Sequence, residues 1–471
     1  MTDKRQPHRR ASGPVRQRRS RPRRDKAREL ALSVLREVHE NDAYANVALV
    51  RALRDLPEDR ALSDIDRRFA TELVYGVAKA VGTLDWIMAH YVKRPLEKLD
   101  PVVREILRLG LYQLFYLDAV PPSAACNTSV ELAKHHAHAG VAGFVNGVLR
   151  SAVREPERAA FPTGAEHAPE RLALEKQHPI WLVQRWVEQL GYEETSALCD
   201  RDNEPAPLCL RTNTLRTSRT GLLTMLQEAG CEAEASQWAP EGILLHQHGS
   251  LDSLAPLQQG LAQVQDESSM LVAHVVDPQP GERVLDCCSA PGGKTTHMAV
   301  LMQNQGEITA LDIYDHKLQR VADNAARLGI DIIKTVRLDA REAGDRYAGQ
   351  MDRVLVDAPC SGLGVLRRRP DARWHKSAVE IEALPPLQSA ILDSAAQAVR
   401  PGGVLVYSTC TIEPQENSAV VEAFLARHPE FVLEPVGGCL PEPRREEKML
   451  QLYPQRDGTD GFFIARMRRK V

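Results

Sequence analysis

Two cysteines stand where thiol chemistry is possible. Cys360 lies in "VLVDAPCSGLG" and Cys410 in "LVYSTCTIEPQEN", and each closely follows an apolar run that reads as a β-strand. Asp357 closes the first of those runs. A single cysteine after a strand is usually a small buried hydrophobe. A second in the equivalent place, beside a carboxylate, points to two thiols meeting one substrate atom. Such a set suits cytosine, whose carbon 5 is too weak a nucleophile to take a methyl group from a sulfonium. Thiolate addition at carbon 6 pushes electron density onto carbon 5 and removes that obstacle. A carboxylic acid at ring nitrogen 3 stabilises the adduct, a role Asp357 is placed to take if burial raises its pKa. A base then removes the carbon 5 proton, and the second thiol assists as the enzyme leaves by elimination. The residues alone leave open which of the two cysteines attacks.

The methyl donor needs its own seat. The strand-like run before "DCCSAPGGKTT" ends in a turn holding Cys288, Ser289, Ala290, Pro291, Gly292, Gly293 and Lys294, with glycines that let backbone approach a ligand closely. The turn is neither a dinucleotide nor a phosphate-loop pattern, which favours a nucleoside cofactor without a pyrophosphate. Asp312 in "ALDIYDHKLQRV" follows about twenty residues later, where an acid accepts from both ribose hydroxyls. Asp339 in "VRLDAR" ends a third run and is placed either for the amino group of an adenine ring or for a helix cap.

The elements that position these residues alternate from Arg283 onward as strand and helix, the signature of a doubly wound parallel sheet. Strands are expected at Arg283 to Cys287, Ile308 to Asp312, Ile332 to Val336, Arg353 to Asp357 and Val404 to Ser408, so that Asp357, Cys360, Cys410 and the glycine turn share one sheet edge. "MLQLYPQRDGTDGFFIARMRR" predicts an antiparallel hairpin at the edge of the sheet. Residues 171–265 predict a small α/β module, with a helix bearing Trp181 and Trp186 and strands near Leu208 to Thr212 and Gly242 to Leu245. Its "LRTNTLRTS" offers Arg211, Asn213, Arg216 and Thr217 to phosphates or base edges, and Arg367, Arg368 and Arg369 past the "PCSGLG" loop are further phosphate candidates.

Upstream, residues 26–155 carry helical periodicity throughout, with stretches at Phe69 to Val81, Leu84 to Tyr91, Pro101 to Leu117 and Ser129 to Val153. They predict a compact bundle, and residues 156–170 a linker. Residues 1–25 predict a disordered basic arm that gains affinity by neutralising phosphates, its cations continuing as far as Arg28.

Bulk properties narrow the class. A chain of 471 residues exceeds one ordinary domain. It holds no apolar run of membrane-spanning length. Nine scattered cysteines without a zinc-ligand pattern predict free thiols, no metal and a cytoplasmic setting. The net charge of -3 decides nothing about nucleic acid, because the cations are clustered.

"DCCSAPGGKT", "LDIYDHKLQRV", "DAPCSGLG" and "YSTCTIEPQEN" resemble, in order and separation, the catalytic motifs of the RNA cytosine-5 methyltransferases, in particular the bacterial small-subunit ribosomal RNA enzymes of the Fmu/Sun type. The resemblance covers nearly the whole chain. "ELVYGV", "LRLGLYQLFYLDAVPPSAACNTSVELAK" and "FVNGVLR" are similar to the helical RNA-binding domain of the antitermination factor NusB. The resemblance implies a NusB-like bundle over 26–155, an RNA-binding module over 171–265 and a Rossmann-like class I methyltransferase over 266–471. It implies S-adenosyl-L-methionine as cofactor, held by Cys288 through Lys294, Asp312, Asp339 and Asp357. It makes Cys410 the nucleophile and Cys360 the assistant in release. The implied substrate is 16S ribosomal RNA at cytosine 967, free or in an assembling small subunit, bound by a monomer. A Pro-Cys pair is also the nucleophile signature of DNA cytosine methyltransferases, so the choice of Cys410 rests on the resemblance. Cys287 and the long basic arm depart from the usual pattern. Two other readings compete: the same chemistry on another ribosomal or transfer RNA cytosine, and a noncatalytic ribosome-assembly factor, which would need neither thiol.

Overall fold

A computed structural model describes residues 25–41, 43–57, 61–247, 254–437, 440 and 444–471. The chain divides into two compact units, one of residues 1–77 with 91–156, the other of 78–90 with 157–471. The basic arm expected over residues 1–25 lies outside the described residues up to residue 24.

The first unit is helical: α1 (Lys26–Glu40), α2 (Ala45–Arg54), the first half of α3 (Asp64–Ala89), α4 (Pro101–Tyr116), α5 (Pro122–His136) and α6 (Ala139–Arg154). Asp25 caps α1 by accepting from the Arg28 amide, so the fold begins where the expected bundle begins. Arg28 belongs to this fold and not to the arm, because its buried guanidinium donates to Gln113 Oε1 at 2.7 Å. Two boundaries differ from expectation. The stretches Phe69 to Val81 and Leu84 to Tyr91 are one helix, unbroken at Gly82, where the Trp374 ring occupies the space a Cβ would fill. Conversely, the expected Ser129 to Val153 helix is two, because Ala137 is extended and ends α5. The helix α2 falls within the stretch expected to be helical but is not one of the individual helices expected there.

The second unit carries two sheets. The segment 171–265 does not share one core. Its helices α7 (Ala168–Glu175), α8 (Ile180–Leu190) and α9 (Tyr192–Asn203) bury Leu182, Trp186 and Leu198 against Leu363, Leu366, Ile381 and Ile412 of the large domain. The four-stranded antiparallel sheet has the order β2 (Glu232–Ala235), β3 (Gly242–Gln247), β1 (Leu208–Thr212), β4 (Ala262–Val264). It packs on α10 (Arg219–Glu228) around Leu210, Leu222, Leu226 and Ile243, with a short α11 (Ala255–Gln258) before β4.

The large sheet follows, with α12 (Glu267–Val276), β5 (Arg283–Asp286), α13 (Gly293–Leu301), β6 (Glu307–Asp312), α14 (Asp315–Leu328), β7 (Ile333–Arg337), α15 (Ala343–Tyr347), β8 (Met351–Asp357), α16 (Ala378–Glu382), α17 (Leu384–Ala398), β9 (Val399–Thr409), α18 (Ser418–Arg427), β10 (Phe431–Glu434), β11 (Met449–Leu452) and β12 (Phe462–Arg469). The order is β10-β12-β9-β8-β5-β6-β7, parallel from β9 to β7 and antiparallel at β12 and β10. Apolar residues cover both faces, α12, α13 and α14 on one and α15, α17 and α18 on the other, as a parallel sheet requires. The final hairpin is present, but β12 is not at the edge. It lies between β9 on one side and β10 with β11 on the other, because its run Phe462 to Met467, apolar but for Arg466, is long enough to bury on both faces. No helix among the described residues is long and apolar enough to cross a membrane.

Candidate active site

The strand order reverses between β5 and β8, and in open α/β sheets such a switch point opens a crevice at the carboxyl ends of the strands. Here the crevice is a cavity of about 320 Å³. Of the residues singled out above, Cys288, Ser289, Ala290, Pro291, Gly293, Lys294, Asp357 and Cys410 line it.

The donor turn runs from β5 into α13. Gly292 has a φ of +98° and caps the helix, and a Cβ there would come within 3.1 Å of the Val321 backbone. Ser289 ties the turn to the neighbouring strand, its amide and its hydroxyl each donating to Leu311 O at 2.9 Å. That bond sets the turn beside Asp312, which ends β6 and whose carboxylate accepts from the Tyr314 amide at 2.9 Å. Neither Asp312 nor Asp339 is among the cavity-lining residues: Asp339 caps a 3₁₀ turn at Ala340, and its carboxylate is held by the Arg341 guanidinium, which keeps it below the usual carboxylate range.

Asp357 ends β8 and pairs in register with Ser408 of β9. Its oxygens accept from Lys294 Nζ at 2.8 Å and Ser408 Oγ at 2.9 Å. With both oxygens already accepting, Asp357 is built as an acceptor, and the donor standing beside it is Lys294, whose ammonium also lies 5.0 Å from the centre of the Phe462 ring. Burial disfavours the Lys294 charge, yet the Asp357 carboxylate outweighs it and holds the amine above its usual range.

The two thiols meet. Cys360 Sγ and Cys410 Sγ are 3.4 Å apart. The Cys360 thiol donating to the Cys410 sulfur holds Cys410 below the usual thiol range, against the opposing effect of burial, and pushes Cys360 well up. Burial pushes Cys287 and Cys288 up as well. Among the cysteines near the donor turn, Cys410 alone is shifted toward the thiolate.

The loops carrying the thiols are clamped together by neighbours to which the sequence alone assigns no role. Ser361 Oγ and Thr411 Oγ1, each one residue past a cysteine, are 2.7 Å apart. The buried Glu416 accepts from the Ser361 amide and from Gln388 Nε2, both at 2.9 Å. Asn417 Nδ2 donates to Thr411 O at 3.0 Å. All but Gln388 fall inside the two cysteine motifs, so the signal was their density of polar residues directly after each cysteine. Asp286 was also missed: it ends β5, lines the cavity, accepts from Thr295 Oγ1 at 2.7 Å and leaves its other oxygen without a partner. Burial pushes it up to about 7.

The candidate phosphate ligands are placed otherwise. Arg211 is buried and donates to Gln265, Gly293 O and Thr296 Oγ1, the last at 3.0 Å. Asn213 is buried and donates to Gly260 O and Leu328 O, both at 2.9 Å. Arg216 donates to Gln259 O at 2.9 Å from an exposed position, and Thr217 lies next to it. Arg367 is buried on Asp460 at 2.6 Å, while Arg368 bridges Asp460 and Asp266. These arginines and Asn213 fasten the four-stranded module and the hairpin to the large sheet. Of the three consecutive arginines only Arg369 is exposed.

Residues 273–468 match the family model described as 16S rRNA methyltransferase RsmB/F, residues 25–154 the NusB family, and residues 178–252 the ferredoxin-like domain of RsmF/B-like methyltransferases. A Bacillus subtilis (strain 168) protein described as a probable ribosomal RNA small subunit methyltransferase B is 41% identical, covering 94% of this chain and 98% of its own. Ribosomal RNA small subunit methyltransferase B of Klebsiella pneumoniae (strain 342) is 36% identical over 87% of this chain and 92% of its own. The crystal structure of PH0851 superposes with a TM-score of 0.81 at 29% identity, over 96% of this chain and 99% of that one. NSun6 from Pyrococcus horikoshii, solved with SFG, gives a TM-score of 0.56 at 26% identity, over 61% of this chain and 97% of that one. By its catalytic sheet, its NusB domain and relatives that match almost end to end, the chain belongs to the RsmB/F family of 16S rRNA methyltransferases.

Proposed function

We propose that this protein transfers a methyl group from S-adenosyl-L-methionine to carbon 5 of a cytosine in 16S ribosomal RNA, cytosine 967, through a covalent adduct of Cys410 at carbon 6. The observation that carries the reading is the pair of thiols at 3.4 Å, beside Lys294 and Asp357 and at the mouth of the donor turn.

The cavity suits the donor in size and in chemistry. Asp286 supplies a buried oxygen without a partner, fitting an ammonium group, and Asp312 fits ribose hydroxyls. The turn from Cys288 to Lys294 would hold the remainder, with Asp357 beside it, and Asp339 would join on exchanging its Arg341 partner for an adenine amino group. NSun6, solved with the S-adenosylmethionine analogue SFG, supports a cofactor of this kind. When bound, S-adenosylmethionine supplies an electrophilic methyl group on a sulfonium.

The chain's own residues do the rest. The target base is unstacked into the cleft. The Cys410 thiolate forms the bond to carbon 6. Asp357 accepts from the ring's amino edge, and Lys294 donates to the ring as negative charge develops there. After carbon 5 is methylated, a water molecule in the cleft takes its proton, the freed electron pair restores the carbon 5–carbon 6 double bond, and the sulfur–carbon 6 bond breaks with its electron pair returning to Cys410. Cys360 assists that release.

Bisulfite mapping of 16S RNA, from cells lacking the protein and from cells complemented with it, tests the position: cytosine 967 should resist conversion only in the complemented cells. Protection at another cytosine relocates the target. Cys360→Ala should accumulate a slowly migrating protein–RNA band with cofactor present. No such band, under conditions where the unaltered protein turns over, removes Cys360 from release.

A further inference from the structure

A second group of chemistry-bearing side chains lies outside the cleft. Glu241 immediately precedes β3 of the four-stranded module, His274 is on α12, and His297 is on α13. His274 Nε2 stands 3.0 Å from each Glu241 carboxylate oxygen, and His297 Nε2 stands 2.5 Å from Oε1. One ligand atom from each of the three residues lies within 4.8 Å of the other two. Glu241 is fixed from behind, since the Thr212 amide and hydroxyl donate to its backbone carbonyl at 2.9 and 2.8 Å.

His297 is what needs explaining. Its residue is wholly buried, yet neither ring nitrogen has a hydrogen-bond partner among the described residues, because the close approach to Glu241 lacks hydrogen-bond geometry. A buried imidazole aimed at a carboxylate without that bond is costly, and buried polar groups are otherwise satisfied. An ion between them would remove the cost. Two imidazoles and one carboxylate are the donor set of zinc-class ions, with bonds of about 2.0–2.2 Å, and not of magnesium or calcium, which take oxygen ligands. The buried Arg211 is engaged on Gln265, Gly293 and Thr296.

We propose that Glu241, His274 and His297 bind one divalent transition-metal ion of the zinc class, which ties the four-stranded module to α12 and α13. A cavity of about 650 Å³, bordered by the three ligands with Thr217, Ser218 and Arg219, gives the fourth coordination position access to water or to a polar ligand. Because α13 begins at the donor turn, the ion braces the helix that carries Gly293 and Lys294. The sequence shows no zinc-ligand pattern because these ligands come from separate elements.

The test uses the full chain, stripped with a chelator and titrated with cobalt(II). One equivalent should bind and give a visible ligand-field band, which zinc(II) should abolish by displacement. Zinc should raise the Tm of the unaltered protein but not of His274→Gln or His297→Gln, and both variants should lose at least about tenfold in cobalt affinity. Should His297→Gln fail to fold, His274→Gln decides, since that side chain is partly exposed. The proposal is overturned if the stripped protein takes up no stoichiometric cobalt or zinc, in which case the cluster is a carboxylate between two imidazoles and nothing more. It is equally overturned if His274→Gln binds cobalt as tightly as the unaltered chain.

Discussion

The cleft and the seam between the four-stranded module and the large sheet are built from the same residue types, held under opposite conditions. In the cleft, Lys294 and Asp357 each face the other at the cavity wall, their side chains 15% and 27% exposed. A substrate group can therefore replace either partner. In the seam, Arg211 reaches backbone and side-chain acceptors out of contact with solvent, and where the hairpin is fastened the Arg367 and Asp460 side chains are each 2% exposed. Those partners cannot be exchanged without opening the fold. A charged residue close to a catalytic motif is thus no guide to whether it touches RNA; what separates the two cases is how far the pair itself is open to solvent, since Asp460 also borders the cavity yet is almost wholly buried.

The sharpest break between the two regions should come from single substitutions. Cys410→Ala should reduce methyl transfer by at least about 10³-fold, as losing a nucleophile does elsewhere, with thermal unfolding nearly unchanged. Residual turnover close to that of the unaltered protein would pass the nucleophile's role to Cys360. Arg367→Met should act the other way round. It removes one partner of a buried ion pair, so stability should fall by about 3–5 kcal/mol in urea unfolding, while the folded fraction keeps its turnover. An unchanged urea midpoint would mean that the Asp460 pair is solvated and the contrast with the cleft is false.

The same contrast explains what the sequence revealed. Strand ends were legible because apolar runs are local, and they brought Asp357, Cys360, Cys410 and the 288–294 turn to one edge. The bundle's start at Lys26 was legible because an apolar period is local too, whereas the cap that Asp25 supplies was not read from the sequence. Partners distant in the chain were not. "LRTNTL" and "LRRRP" read as phosphate ligands because Gly293, Leu328, Asp266 and Asp460 lie 82 to 115 residues away. Asp286 gave no sign that one of its oxygens is orphaned. The place of β12 inside the sheet depends on β10, a strand too short and mixed to announce itself. The motif after Cys410 was visible, but its work as a clamp through Thr411, Glu416 and Asn417 needs the loop carrying Ser361.

A finer effect is expected from the coupling between the thiols. Cys410 is held below the usual thiol value of about 8.5 because it accepts from Cys360. Its thiolate fraction rises with pH through that lowered value, so single-turnover adduct formation should level off at a lower pH than for an ordinary thiol. Removing the donor with Cys360→Ala leaves burial and the Asp357 charge, both of which raise Cys410. The inflection should therefore move to higher pH. An inflection that stays in place or moves down would show that the Cys360 thiol does not activate the nucleophile, and would leave Lys294 as the group that does.

The smallest effect is expected at the far end of the chain, where the comparison between exchangeable and buried charge can be carried to its limit. Ten lysines and arginines lie between Lys4 and Arg24, whereas Arg28 four residues later is committed to Gln113 and Asp25. If the run up to residue 24 works through phosphates, it adds affinity by counterion release and nothing to chemistry. Deleting residues 1–24 should then weaken RNA binding and reduce the slope of log affinity against log salt, by about 0.7–0.9 for each phosphate no longer neutralised, while saturating turnover stays the same. Arg28→Ala should instead lower stability and leave the salt slope alone, because that guanidinium neutralises a partner inside the bundle. Equal salt slopes for the full and shortened chains would mean that these cations face solvent without meeting RNA, and that the RNA-binding charge resides on the folded units.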